Sequence, residues 1–158
     1  MITLKTTKKM WIAYSENYIT NGNWMFHKNY LNRRTSSQDF VNMVDNTAGF
    51  IFNNGLFDTK AALPKTSQLI SNNIEGYVLK KTDVLVDVKT GYARIYQIKN
   101  EDSEILNIWI DDNYSKMFDD YKLIMTDFKE TTAIKVIDNY SVIGLIMPIL
   151  LSFKGVNL

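Results

Sequence analysis

The stretch Val84-Leu85-Val86-Asp87-Val88-Lys89-Thr90-Gly91-Tyr92-Ala93-Arg94-Ile95-Tyr96-Gln97-Ile98 reads as two strands and the turn that joins them. Val84, Val86 and Val88 alternate with Leu85 and Asp87, and β-branched and aromatic residues fill both arms, as a pleated, half-buried surface requires. Lys89-Thr90-Gly91 is short and contains glycine, so the arms should close as an antiparallel hairpin.

Working outward, Ile74 to Leu79 and Ile105 to Ile110 have the same strand character, and polar Asn100 to Glu104 makes the reversal between Ile98 and Ile105. Asp111 and Asp112 then cap a short helix through Tyr114, Met117 and Phe118, with carboxylates where the N-terminal dipole favours them. Strands are expected near Tyr121 to Met125, Thr132 to Ile137 and Val142 to Leu150. The apolar run from Val142 to Phe153 spans roughly a dozen residues and holds Pro148, short of the ~20 needed to cross a bilayer. It reads as a buried strand.

The first half of the chain is less regular. Leu4, Trp11, Tyr14 and Tyr18 recur at spacings of seven, three and four, with Lys5, Lys8, Lys9 and Glu16 between them, which predicts an amphipathic helix. Asn21-Gly22-Asn23 supplies turn chemistry, and Trp24-Met25-Phe26 reads as a short strand. Ser36 and Ser37 should open a short helix through Phe40, Val41 and Val44, and Gly49 to Phe52 should leave it as a strand closed by Asn53-Asn54-Gly55. Asp58 to Asn73 reads as a loop with one helical turn. The segment Trp24-Met25-Phe26-His27-Lys28-Asn29-Tyr30 also echoes Ile108-Trp109-Ile110-Asp111-Asp112-Asn113-Tyr114, each an apolar strand end running into Asn-Tyr.

These elements sum to an α+β fold of antiparallel sheets with two or three short helices on one face. The 158 residues, 46% hydrophobic and 22% charged, suit a single domain with candidate halves at 1–73 and 74–158. Eighteen Lys plus Arg against 17 Asp plus Glu give a net charge of +1, so no global excess points to avid polyanion binding. Cysteine is absent and His27 is the single histidine, which excludes thiol nucleophiles, cysteine-ligated metals and multi-histidine sites. The lysine-bearing start, MITLKTTKKMW, lacks the apolar core of a signal peptide, so a cytoplasmic protein is expected. Abundant Lys, Asn and Ile with two prolines is the habit of AT-rich bacterial or phage coding sequence.

Candidate chemistry is sparse. Asp111-Asp112 and Asp119-Asp120 bracket one short helix, but neighbours on a helix point about 100° apart, so capping outweighs acid/base or metal work. His27 has no nucleophile to serve, and no glycine-rich phosphate loop occurs. No metal or cofactor is expected. Lys5, Lys8, Lys9, Arg33 and Arg34 could touch phosphates, as could Lys80-Lys81, with solubilising charge as the simpler role. Tyr92, Tyr96 and Trp109 could stack bases from an open sheet or fill the core.

Taken together, Asn107-Ile108-Trp109-Ile110-Asp111-Asp112-Asn113-Tyr114-Ser115-Lys116-Met117-Phe118, the strands after it, and Val142-Ile143-Gly144-Leu145-Ile146-Met147-Pro148-Ile149 resemble the last half-domain of bacterial DNA polymerase sliding clamps. Asp87 to Arg94 is similar to that family's Ala-Thr-Asp-Gly-Tyr-Arg-Leu strand, although Lys89 precedes Thr90 and the Asp before Gly91 is missing. The resemblance implies a β-α-β-β-β unit used twice, with the helices near Leu4 and Asp112 facing DNA. It also implies that Met147, Pro148 and Ile149 line an apolar cleft for short linear peptides of polymerases and repair proteins. Clamps carry two or three domains per chain, so a ring of single domains would take about six copies.

The reading that follows is a non-enzymatic, clamp-like protein of phage or mobile-element origin, acting in replication or occupying a replication partner. The alternative is a small phage-type α+β interaction protein, a host-factor inhibitor or accessory protein unrelated to clamps. A hydrolase built on Asp111, Asp112, Asp119 or Asp120 ranks last. A protein partner is expected, DNA is a weaker candidate, membrane is not expected, and a homo-oligomer stays open.

Overall fold

In the computed structural model, which describes residues 1–4, 11–14, 17–38, 41, 51–53, 56–57, 72–89 and 91–150, Lys80–Val88 and Gly91–Lys99 pair antiparallel with Val86 facing Ala93 and Asp87 facing Tyr92. The period-two alternation and the glycine at the turn thus produce the hairpin they predict. The chain divides into two compact units, Met1–Ser71 and Asn72–Leu158, and the hairpin belongs to the second.

The first unit holds strands β1 (Trp11–Tyr14), β2 (Tyr18–Thr20), β3 (Trp24–His27), β4 (Ile51–Asn53) and β5 (Leu56–Phe57), with a 3₁₀ turn at Lys28–Tyr30. Their order is β5-β4-β1-β2-β3 with every pair antiparallel. β1 corrects the expected N-terminal helix. Trp, Ile and Tyr favour a pleated surface, Ile12 and Tyr14 are buried in alternation, and β2 and β4 supply ladders on both sides. A few apolar positions spaced three and four apart fit either period over so short a run.

The β2–β3 turn follows the expected chemistry: Asn21 Oδ1 accepts the amides of Asn23 and Trp24, and Gly22 sits at φ 93°. Ile2 and Leu4 are buried beside Leu31, and the Leu4 amide donates to Ser36 Oγ at 3.0 Å. Ser36 Oγ therefore holds the N-terminal segment, and the helix expected here opens after Ser37, with Gln38 and Val41 helical. The Val41 amide donates to the Ser37 carbonyl at 3.0 Å, one helical turn beyond it. The loop expected over 58–73 lies almost wholly outside the described residues.

The second unit holds β6 (Tyr77–Val78), β7 (Lys80–Val88), β8 (Gly91–Lys99), β9 (Ile105–Asp111), helix α1 (Asp112–Met117), β10 (Lys122–Met125), β11 (Ile134–Asp138) and β12 (Ser141–Ile146). One antiparallel sheet runs β7-β8-β9 and another β12-β11-β10-β6. The chain passes from one to the other at buried Leu79, whose amide donates to the Leu123 carbonyl at 2.9 Å. Gly76 is required just before that step, because a Cβ there would lie 2.5 Å from the Met125 carbonyl oxygen.

Register assigns the faces of the first sheet. Val86, Ala93, Ile95 and Trp109 share one side and form a small apolar cluster with Val88 and Ile149. Arg94 and Tyr96 project to the other side. Between Lys81 and Leu85 the β7 register shifts, and Thr82 Oγ1 donates to the Ile95 carbonyl at 2.7 Å. Overall the described residues are mostly antiparallel β-sheet with little helix. Among them, no helix is long and apolar enough to cross a membrane.

Candidate functional site

The C-terminal apolar run does not continue as one buried strand. β12 ends at Ile146, after which Met147 is 45% exposed, Pro148 is buried and Ile149 is half-buried. Proline supplies no amide for a ladder, so pairing stops before it and resumes one residue later. There the Ile149 amide donates to the Trp109 carbonyl at 2.8 Å, an antiparallel bridge to β9. The side chain of Ile149 packs on the Ala93–Ile95–Trp109 cluster. Ile149 is thus brought beside β9, with exposed Met147 two residues before it.

On the opposite side of the β7–β9 sheet lies α1. Six residues are too few to hold a helix alone, and a cap, two ion pairs and a buried hydrogen bond secure it. Asp111 ends β9 and caps the helix, its Oδ1 accepting the Asn113 amide at 2.9 Å. Asp112, buried, accepts from Arg94 Nε at 3.3 Å and faces Lys116 Nζ at 3.2 Å, one helical turn on. Tyr96 and Ser115 share a buried hydrogen bond between their hydroxyls, and burial pushes the Tyr96 phenol above its ordinary value. Arg94 Nη1 also donates to the Thr82 carbonyl at 3.4 Å, so the β7 irregularity and the helix share one guanidinium.

Past the C-terminal end of this helix a pocket of about 190 Å³ opens among Val78, Leu79, Lys81, Tyr96, Phe118, Asp119, Tyr121, Lys122 and Leu123. Its mouth is crossed by the Lys81–Asp119 pair at 2.8 Å, which holds the Lys81 ammonium above its usual range. Both side chains are largely solvated, so this pair contributes ~0–1 kcal/mol.

The carboxylates are therefore dispersed among separate tasks: Asp111 caps, Asp112 pairs with Arg94, and Asp119 with Lys81. Among the described residues no group of three His, Asp or Glu side chains could hold a metal ion. His27 Nδ1 accepts the Asn29 amide at 3.1 Å, and burial with the nearby Lys28 charge lowers its pKa from 6.5. Arg33 and Arg34 lie exposed in a turn whose amides Asn32 Oδ1 receives at Arg34 and Thr35. Lys5, Lys8 and Lys9 lie outside the described residues. The aromatics do not form one platform, since Tyr92 is 56% exposed, Tyr96 is buried on the same face beyond Arg94, and Trp109 is buried on the other.

Sequence reasoning missed Arg94 and the pocket. The i to i+4 spacing of Asp112 and Lys116 was a usable signal for the helix pair, whereas an arginine inside a strand carries none for its partner across the sheet. No known protein family matches the chain, no curated protein is similar to it in sequence, and no solved structure is similar to it in fold.

Proposed function

We propose that this chain is a non-enzymatic, clamp-like protein of phage or mobile-element origin that acts in DNA replication by engaging a replication partner through Met147, Pro148 and Ile149. The observation that carries this reading is one corner built twice. β3 ends at His27, whose ring accepts the amide of Asn29, and β9 ends at Asp111, whose carboxylate accepts the amide of Asn113. Each cap opens a short helical turn, at Lys28–Tyr30 and at Asp112–Met117. The apolar positions before the caps, Trp24, Met25 and Phe26 and then Ile108, Trp109 and Ile110, are all buried.

After the second corner come β10, β11 and β12, which is the strand–helix–three-strand order that the resemblance implies. The β-α-β-β-β plan is the finer fold of the second unit in this reading, whereas the described residues of the first unit place β1, β2 and β3 before the corner and β4 and β5 after it. Met147 adds an exposed, adaptable thioether next to a proline and a half-buried isoleucine, a surface suited to apolar peptide side chains. Arg33 and Arg34, with Lys5, Lys8 and Lys9, are the cations assigned to phosphate contact.

The test is the absolute mass in solution, by light scattering after size exclusion at low and high salt, with and without duplex DNA. A closed oligomer that survives salt and retains DNA supports the clamp-like reading; a monomer with no partner in replication extracts refutes it. The alternative, an interaction protein unrelated to clamps, is favoured by one feature. Leu85 and Tyr92 stand exposed as diagonal neighbours on one face of the β7–β8 hairpin. Loss of partner binding in Tyr92→Ser but not in Met147→Asp would select it.

A further inference from the structure

We propose that the β2–β3 turn is a conditional deamidation site: water removes the side-chain amide of Asn21 by way of the Gly22 nitrogen once the turn opens, and Thr20 holds the reaction closed in the folded chain. The proposal concerns the first unit and is independent of partner or DNA binding.

The reacting groups are neighbours in the chain, and Gly22 carries no side chain to shield its nitrogen. That nitrogen gives up its proton, and its electron pair forms a bond to Asn21 Cγ. The Cγ–Nδ2 bond breaks, ammonia departs with the proton, and a cyclic imide remains. Water then opens the imide at either carbonyl. One cleavage leaves aspartate; the other leaves isoaspartate, whose main chain runs through the former side chain and is longer by a methylene.

The folded turn holds a receptive carbonyl beside a restrained nucleophile. Asn21 Oδ1 accepts the amides of Asn23 at 2.9 Å and Trp24 at 3.0 Å, donors of the kind that stabilise an oxyanion formed at Cγ. Gly22 and Asn23 are exposed, so water has access. The restraint comes from Thr20, which is buried and whose hydroxyl donates to the Trp24 carbonyl at 2.6 Å. With its proton held there, Thr20 Oγ1 meets the Gly22 amide as an acceptor, at 3.0 Å. An oxygen lone pair aimed at this nitrogen favours the protonated amide and opposes the anion that must attack. The product would be costly to the sheet. Thr20 pairs with Met25 and Ile19 with Phe26 across the turn, and a methylene added between them breaks that register.

The experiment incubates the full chain at mildly alkaline pH and follows residue 21 by tandem mass spectrometry, with isoaspartyl methyltransferase labelling to separate the two products. Wild type should react about tenfold or more faster in urea above its unfolding midpoint than without urea. Under native conditions Thr20→Val should react about tenfold faster than wild type, and Thr20→Ser, which restores the hydroxyl, should stay within about twofold of it. Ser36→Ala, which removes the acceptor of the Leu4 amide in the same unit and leaves the turn intact, controls for lost stability. Hydrogen exchange at the Gly22 amide needs no variant and passes through the same anion, so this amide should be protected. Equal rates with and without urea, a Thr20→Val rate no higher than that of Ser36→Ala, or unprotected exchange at Gly22 each overturns the proposal.

Discussion

His27 and Asp111 hold equivalent stations in the two units: each ends a strand, and each accepts the amide of an asparagine two residues on, at 3.1 Å and 2.9 Å. The two caps differ in what they need. A carboxylate accepts because it is charged, whereas an imidazole accepts through Nδ1 only while it is neutral.

The first prediction follows from that difference. The His27 pKa is lowered from 6.5 by burial and by Lys28. The unfolded chain therefore binds the proton more readily than the folded one, and acid favours unfolding. The stabilising contribution is complete above pH 6.5 and is lost as the pH falls through the lower, folded value. Urea midpoints measured across this interval should drop on acidification for the wild type, and the drop should be smaller in His27→Asn, which keeps an acceptor for the Asn29 amide.

Arg94→Met should be among the more damaging single changes in the second unit. It leaves the buried Asp112 carboxylate with exposed Lys116 as its remaining cation and removes the donor to the Thr82 carbonyl. A loss of about 2–4 kcal/mol is expected in chemical denaturation. The double variant Arg94→Met with Asp112→Leu should recover part of it, because no charge is then stranded.

Tyr96→Phe and Ser115→Ala remove the two ends of one buried hydrogen bond. Each should cost ~1 kcal/mol. The double variant should cost less than the two added together, because the second deletion removes no further bond. A double-mutant cycle by thermal or urea unfolding measures the coupling.

Gly76→Ala should destabilise the second unit by about 1–3 kcal/mol. The added methyl would meet the Met125 carbonyl oxygen at 2.5 Å, and backbone on a paired strand has little room to retreat. An unchanged midpoint would show that β6 and β10 can separate at no cost.

Met147→Asp should leave the unfolding midpoint within about 0.5 kcal/mol of wild type, since the side chain is 45% exposed. In the proposed function it should abolish partner binding. Ile149→Ala, which removes packing on Trp109, should instead lower stability by ~1 kcal/mol.

How much could be read from residues alone depended on distance along the chain. The β7–β8 hairpin, the Asn21–Asn23 turn, the Asn100–Glu104 reversal and the Asp111 cap were legible because each is settled by residues a few positions apart. Asn100 Oδ1 accepts the amides of Asp102 and Glu104, and such local bonds are written directly in turn composition. The segment around Trp11 was misread for the same reason in reverse. Its local spacing admits helix, and the ladders with β2 and β4 that make it a strand come from elsewhere in the chain.

The sequence by itself determined the β7–β8 hairpin, the short capped helix after β9, and the absence of thiol or multi-histidine chemistry, because these depend on composition and on neighbours in the chain. Only the tertiary structure decided that Trp109 and Tyr96 face opposite ways, that Arg94 meets Asp112, that Ile149 returns to β9 past Pro148, and that Leu79, Phe118 and Leu123 line one pocket. Those relations join residues far apart in sequence. They exist because packing and strand register bring the residues together, and neither leaves a period or a motif to read.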